Sequence, residues 1–140
     1  MFFLGEYQHS LDAKGRLILP AEFRPGLAGG AVIVGTDGKC LAVHPVAEFE
    51  RVAAEVQQRA KEGGRDLAAL RAFFASARQV APDSQGRVPI SENLRDYAGL
   101  TRDVAVIGAA TRIEIWDAQR WREQKAEGEA ALAESGGFGI

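Results

Sequence analysis

The sequence predicts an α+β fold made of two copies of one β-hairpin-plus-helix unit, related by a pseudo-twofold and sharing one core, with connecting helices. Three observations predict it. A segment of 13 residues recurs at a constant offset of 71. In each copy, apolar residues alternate at period two before the spacing turns helical. Each copy, at ~45 residues, is too small to bury a core alone.

The first copy of the repeat is Asp12-Ala13-Lys14-Gly15-Arg16-Leu17-Ile18-Leu19-Pro20-Ala21-Glu22-Phe23-Arg24, and the second runs from Asp83 to Arg95. Asp12/Asp83, Gly15/Gly86 and Arg16/Arg87 match, as do Leu17/Val88, Leu19/Ile90, Phe23/Leu94 and Arg24/Arg95. From average usage, two chance copies of Asp-x-x-Gly-Arg arise on the order of once in a few thousand such chains. The likeness continues with Ala31–Gly35 against Asp103–Gly108, Leu41–His44 against Ile113–Trp116, and Phe49 against Trp121.

The elements follow in order. Met1-Phe2-Phe3-Leu4 has no basic flank and no long apolar region, so it reads as strand rather than signal peptide. Glu6 to Leu11 alternates, with Tyr7, His9 and Leu11 on one face. Asp-x-x-Gly is turn chemistry, because Asp bonds the backbone two residues on and Gly accepts positive φ. Arg16–Leu19 and Arg87–Ile90 are the return strands, and Pro89, without an N–H, marks an edge or an early end. Pro20 suits a first helical position, and Ser91 an N-cap with Gly99 as the stop, so short helices are expected near 20–26 and 92–98. Thr36–Lys39 and Ala109–Arg112 are the next hairpin turns. Pro45 opens a helix with Phe49, Val52, Val56 and Ala60 at helical spacing, ended by Gly63-Gly64. Leu67, Leu70, Phe73 and Phe74 mark a second helix, Arg65 to Ala77. Asp117 caps a last helix through Trp121, and Ser135 to Ile140 is Gly-rich and expected to be disordered. The units are thus 6–50 (first copy), 51–76 (helical connector), 77–122 (second copy) and 123–140 (acidic, Gly-rich tail).

Composition narrows the function. With 46% hydrophobic and 26% charged residues the chain is of globular type, and no apolar run approaches the length that spans a bilayer. A single cysteine, Cys40, fits the cytosol and forms no internal disulfide. The net charge of −2 is unevenly spread: residues 123–140 hold four acids against one base, so residues 1–122 carry +1. The bases are 13 Arg and 4 Lys, and the guanidinium fork suits phosphate and guanine edges. An acidic tail repels phosphate and should point away from any nucleic acid.

Enzyme readings are poor. His9 and His44 sit in strand-like runs, and one cysteine cannot build a Cys/His metal cluster. A Cys40–His44 pair has no visible third group to orient it. Gly29-Gly30 and Gly35 lack a following Lys-Ser/Thr, and Trp116 and Trp121, parallel to His44 and Phe49, read as packing residues. No catalytic residue, metal or cofactor is expected.

The candidate site is the recurrent turn: Lys14, Arg16 and Arg87 as nucleic-acid contacts, with Asp12, Gly15, Asp83 and Gly86 shaping and positioning it. One reading is structural, with Asp closing the turn, Gly relieving strain and Arg pairing with Asp across the hairpin mouth. The other is a DNA-contacting loop, since Arg recurs while the turn interior varies (Ala13-Lys14 against Ser84-Gln85). The residues alone leave both open.

The run Leu11 to Pro20 resembles the AbrB-like swapped-hairpin unit, and two such units after an opening like Met1-Phe2-Phe3-Leu4-Gly5-Glu6-Tyr7 resemble the MraZ family over about residues 1–125. The family's Asp-x-x-x-Arg signature falls on Asp12 and Arg16, and on Asp83 and Arg87. The resemblance implies two swapped-hairpin units and a cytoplasmic, nucleoid-associated transcriptional regulator. Its partners would be promoter DNA, at short direct repeats upstream of the division and cell-wall cluster holding its own gene, and itself, as a ring-shaped homo-oligomer; no membrane is implied. Pro89 and Ser91 replace Ile18 and Pro20, which suggests a weaker second reader. The alternative is an antitoxin-like protein-binding module of the same superfamily, against which the doubled unit and short tail count.

Overall fold

The computed structural model describes residues 2–63 and 67–140. Among the described residues eight strands and four α-helices form a mixed α+β fold with one large antiparallel sheet. The strands are β1 (Phe3–Ser10), β2 (Arg16–Ile18), β3 (Ala31–Gly35), β4 (Leu41–Pro45), β5 (Arg78–Val80), β6 (Arg87–Pro89), β7 (Asp103–Ala110) and β8 (Arg112–Asp117). The helices are α1 (Val46–Glu62), α2 (Leu67–Ser76), α3 (Glu92–Ala98) and α4 (Ala118–Ser135).

Six strands lie in the order β1-β7-β8-β4-β3-β5, and β2 and β6 form a separate ribbon. The first strand of each copy pairs with the other copy's hairpin: β1 along all of β7, and β5 with β3. Exchanging the two copies' strands leaves the order unchanged when read from the other end. One buried cluster draws on both copies, from Phe3, Leu17, Leu19 and Phe23 to Val88, Ile90, Leu94 and Ile115. The opposite sheet face is covered at one end by α1 and α2, over Val32, Val34 and Ala42, and at the other by Trp121 of α4, over Cys40, Ala105 and Trp116. Strands β3 and β4 are therefore buried on both faces, as their unbroken apolar runs require. Among the described residues no helix is long and apolar enough to cross a membrane.

Several elements differ from the sequence expectation. The helix expected at 20–26 is two 3-10 turns, Ala21–Phe23 and Pro25–Leu27. Pro25 has no N–H to give Ala21, and Arg24 N–H instead reaches the Ala21 carbonyl at 3.3 Å. Pro20 precedes that turn rather than opening it. In the second copy α3 forms as expected: Ser91 Oγ accepts from Leu94 N at 3.4 Å and Gly99 caps the end at φ 65°. Strand β1, by contrast, begins at Phe3 as the strand reading of the opening residues expects, and Phe3 packs edge-on against Phe23 with ring centres 5.5 Å apart. The turn expected over Ala109–Arg112 is tighter: Ala110, at φ 67°, ends β7, Arg112 opens β8, and Thr111 alone lies between the strands. Helix α2 spans Leu67–Ser76; the expected start at Arg65 and the stop at Gly64 lie outside the described residues. Helix α4 is capped by Asp117, whose Oδ2 accepts from Arg120 N at 3.0 Å, and runs past Trp121 to Ser135, where Gly136 ends it.

Candidate nucleic-acid interface

Both Asp-x-x-Gly-Arg turns are built alike. In the first, Asp12 Oδ1 accepts from Lys14 N and Arg16 N, each at 2.9 Å, and Asp12 Oδ2 accepts from Arg16 Nε at 2.8 Å. In the second, Asp83 Oδ1 accepts from Gln85 N and Arg87 N at 2.9 Å, and Oδ2 from Arg87 Nε at 2.8 Å. Gly15 N and Gly86 N close the turns onto the Asp carbonyls at 3.0 and 2.9 Å. The backbone N–H of Arg16, more than any other group, holds the Asp12 carboxyl below its usual range, and Arg87 does the same for Asp83. Each carboxylate thus shapes a turn and fixes an arginine.

The ion pair engages only Nε. Among the described residues the terminal guanidinium nitrogens of Arg16 and Arg87 donate no hydrogen bond. The arginines are 33% and 28% exposed, enough to present that fork outward while the stem stays held.

The ribbon brings the two turns together. Leu17 pairs with Val88, Arg16 with Pro89 and Ile18 with Arg87. Leu17 and Val88 are fully buried, so by strand alternation Arg16, Ile18, Arg87 and Pro89 share the outer face. Its two arginines lie on one diagonal. Leu19 N donates to Gly86 O at 2.9 Å and Ile90 N to Gly15 O at 3.0 Å. Those pairs are the hydrogen-bonding ones, so Arg16 and Pro89 form a pair that exchanges no backbone bonds, and the missing N–H of Pro89 costs the ladder nothing.

A second reciprocal contact braces the ribbon. The guanidinium of Arg95 lies over Gly15, where a Cβ would meet its Cζ at 2.8 Å, and Arg24 lies over Gly86 still more closely. Arg24 Nε also donates to Leu19 O at 3.1 Å. Gly15 and Gly86 have φ 75° and 78°, so both backbone angle and space require glycine. Arg24 and Arg95 were visible in the sequence as a matched pair, but nothing there placed each against the other copy's turn. The two turns thus hold Arg16 and Arg87 on their own carboxylates, Asp12 and Asp83, and each is overlain by a further guanidinium, Arg95 or Arg24, from the other copy.

The remaining candidates fall elsewhere. Cys40 is buried, bonded to Thr36 Oγ1 at 3.1 Å, and burial pushes its thiol up to about 11, unsuited to a thiolate nucleophile. His44 packs against Phe49 with ring centres 5.8 Å apart, and Trp116 against Trp121 at 5.7 Å. Among the described residues no group of three or more His, Cys, Asp or Glu is placed to hold a metal.

The MraZ family, described as "MraZ protein, putative antitoxin-like", matches residues 2–69 and again 73–135. The chain is 52% identical over 137 residues to a transcriptional regulator MraZ of Thermobifida fusca, covering 94% of this chain and 92% of that one. It is 50% identical to the Salinispora arenicola protein of the same name, covering 94% and 93%, and 46% identical to that of Micrococcus luteus, covering 95% and 93%. With a family match over both copies and relatives this similar along nearly their whole length, the chain belongs to the MraZ family.

Proposed function

We propose that this chain is a sequence-specific DNA-binding transcriptional regulator whose reading surface is the outer face of the β2–β6 ribbon. Arg16 and Arg87 are the principal contacts, Lys14 adds charge, and Asp12, Gly15, Asp83 and Gly86 position them. The carrying observation is that two copies of one turn, 71 residues apart in sequence, meet on one ribbon with both arginines on one face. Phosphate contacts would set the register and a bidentate guanine contact would supply roughly 1–3 kcal/mol of discrimination. The relatives' shared name, transcriptional regulator, supports the same reading.

In this proposal the strand exchange between copies is the AbrB-like swapped-hairpin arrangement, and several subunits form a ring-shaped homo-oligomer on short direct repeats upstream of the chain's own gene cluster. Few cations per subunit make single-subunit affinity weak, and adjacent repeats supply avidity. The antitoxin-like alternative needs a chain segment free to wrap a partner, whereas the segment after the second copy is helical to Ser135.

The test is fluorescence anisotropy on the DNA upstream of its own gene, at two salt concentrations. Arg16→Ala/Arg87→Ala, folded by circular dichroism and normally assembled by light scattering, is expected to lose operator binding. Arg16→Lys separates base from phosphate contact: lost discrimination against scrambled DNA means a base contact, retained binding a phosphate contact only. Wild-type affinity in the double alanine variant would return the motif to a purely structural turn.

A further inference from the structure

One cavity lies apart from the ribbon and is walled by both copies. It measures about 480 Å³, within the range of small-molecule sites. The first copy and its connector contribute His44, Arg51 and Arg59; the β7–β8 turn of the second contributes Thr111, Arg112 and Glu114. His44 is 3% exposed, and its Nδ1 finds no hydrogen-bond partner among the described residues. A buried polar atom is rarely left so.

The charged groups on the wall are unequally engaged. Glu55 accepts from Arg51 Nη1 at 3.0 Å and Arg59 Nη2 at 2.5 Å. Glu114 accepts from Arg112 Nε at 3.1 Å and Nη2 at 2.5 Å, and from Trp116 Nε1 at 3.0 Å. The carboxylates are occupied, whereas a guanidinium has five N–H donors and Arg59 uses one nitrogen and Arg112 two in these bonds. The surplus is of cationic donors, and it calls for an acceptor-rich anion.

The second copy shows what otherwise fills this place. Trp116 corresponds to His44, and its indole reaches the β3–β4 turn, where a Cβ on Gly38 would sit 3.5 Å from it. In the first copy a smaller imidazole stands there, and the space toward the β7–β8 turn is open.

We propose that this cavity binds a small organic anion, a phosphate monoester or a carboxylate, held by Arg59 and Arg112 with a ligand hydroxyl against His44. Desolvation, and then the charge of Arg112, keeps the imidazole neutral, its pKa pushed down to about 4. A neutral ring offers one donor and one acceptor and so suits a hydroxyl rather than a second charge. Because the walls come from both copies, the ligand links them and binds only the folded chain, so occupancy raises the melting temperature.

The test titrates the full chain with glycerol 3-phosphate, glycerate and, as the uncharged control, glycerol, at up to about 10 mM. The readouts are the imidazole nitrogen shifts of ¹⁵N-labelled His44 and the melting temperature. At least one anion should shift His44 saturably and raise the melting temperature, glycerol should do neither, and the responding anion identifies the headgroup chemistry. His44→Trp, which installs the second copy's side chain, should abolish the melting-temperature response. Arg59→Gln, at an exposed position, should weaken binding at least about tenfold, as loss of a charge-assisted bond implies, with circular dichroism confirming the fold. No saturable response to either anion, an equal response to glycerol, or unchanged binding in Arg59→Gln overturns the proposal.

Discussion

The two copies agree where they meet on the ribbon and diverge where they meet the helices. The bonds that build the Asp12 and Asp83 turns agree within 0.1 Å. Away from the turns, two 3-10 turns stand opposite an α-helix, and His44 with Phe49 opposite Trp116 with Trp121. Helix α1 is covered by α2, whereas α4 has no such cover and is exposed from Arg122 to Ser135. A turn closed by its own carboxylate depends on few neighbours and can be kept identical. The sheet's outer face depends on whatever helix covers it, and the copies have different helices.

The largest expected effect separates the two hairpins at their matched glycines, Gly35 and Gly108. A Cβ at Gly108 would collide with the backbone of Phe3 and Leu4, which cannot give without parting β1 from β7. A Cβ at Gly35 meets the Tyr97 ring at 2.7 Å, a side chain that can swing away at the loss of its bond to the Thr36 carbonyl. Gly108→Ala should therefore cost more than about 3 kcal/mol, at or beyond the usual limit for overpacking, and Gly35→Ala clearly less. Urea unfolding of the two variants checks the order, and equal losses would contradict the backbone-clash argument.

Next comes pH, through a group only the first copy has. The pKa of His44 falls from 6.5 to about 4 on folding, so the unfolded chain binds the proton first as pH drops. Stability is full above about 6.5 and declines toward pH 4, by roughly 3 kcal/mol at most. His9, also lowered by burial, adds to the same slope. His44→Phe should flatten most of the decline in melting temperature across that window; an unchanged slope would show that His44 is not its source.

The two turns should respond alike to acid. Asp12 and Asp83 titrate below 3.8 in the folded chain, so what they stabilise is present above that value and lost as pH falls through their folded pKa. Asp12→Asn and Asp83→Asn keep the Oδ1 acceptor and lose the charge. Each should lower the melting temperature near pH 7, by matching amounts, and the difference from wild type should shrink below about pH 4. Unequal losses would mean that the flanking residues, not the turn, set the ion pair.

The smallest change concerns the turn interiors, where Lys14 faces Gln85 across the repeat. Lys14→Gln makes the first turn match the second. It should leave unfolding unchanged and reduce the salt dependence of DNA binding by about one unit per engaged turn. An unchanged slope would remove Lys14 from the interface.

Much of this was legible locally. The offset of 71 announced two copies, Asp-x-x-Gly announced a turn, and the recurrence of Arg after it marked the candidate site. Ser91 and Gly99 delimited α3 because a cap and a stop act within one helical turn. The end of α4 was not legible from Asp117 and Trp121, since an exposed helix leaves no burial pattern to read past its last packed residue.

By itself, then, the sequence determined the repeat, the inward face of β1 and the chemistry of each turn, because period-two alternation and turn bonding act over a few residues. Only the tertiary structure decided which strand lies beside which. Alternation states that Tyr7 points inward but not that its neighbour is Val106, almost a hundred residues away. That exchange also sets Arg24 over Gly86 and Arg95 over Gly15, and places His44 beneath the β7–β8 turn of the other copy. Those contacts follow from a shared core that neither copy could bury alone, and no short stretch of sequence encodes a partner at that distance.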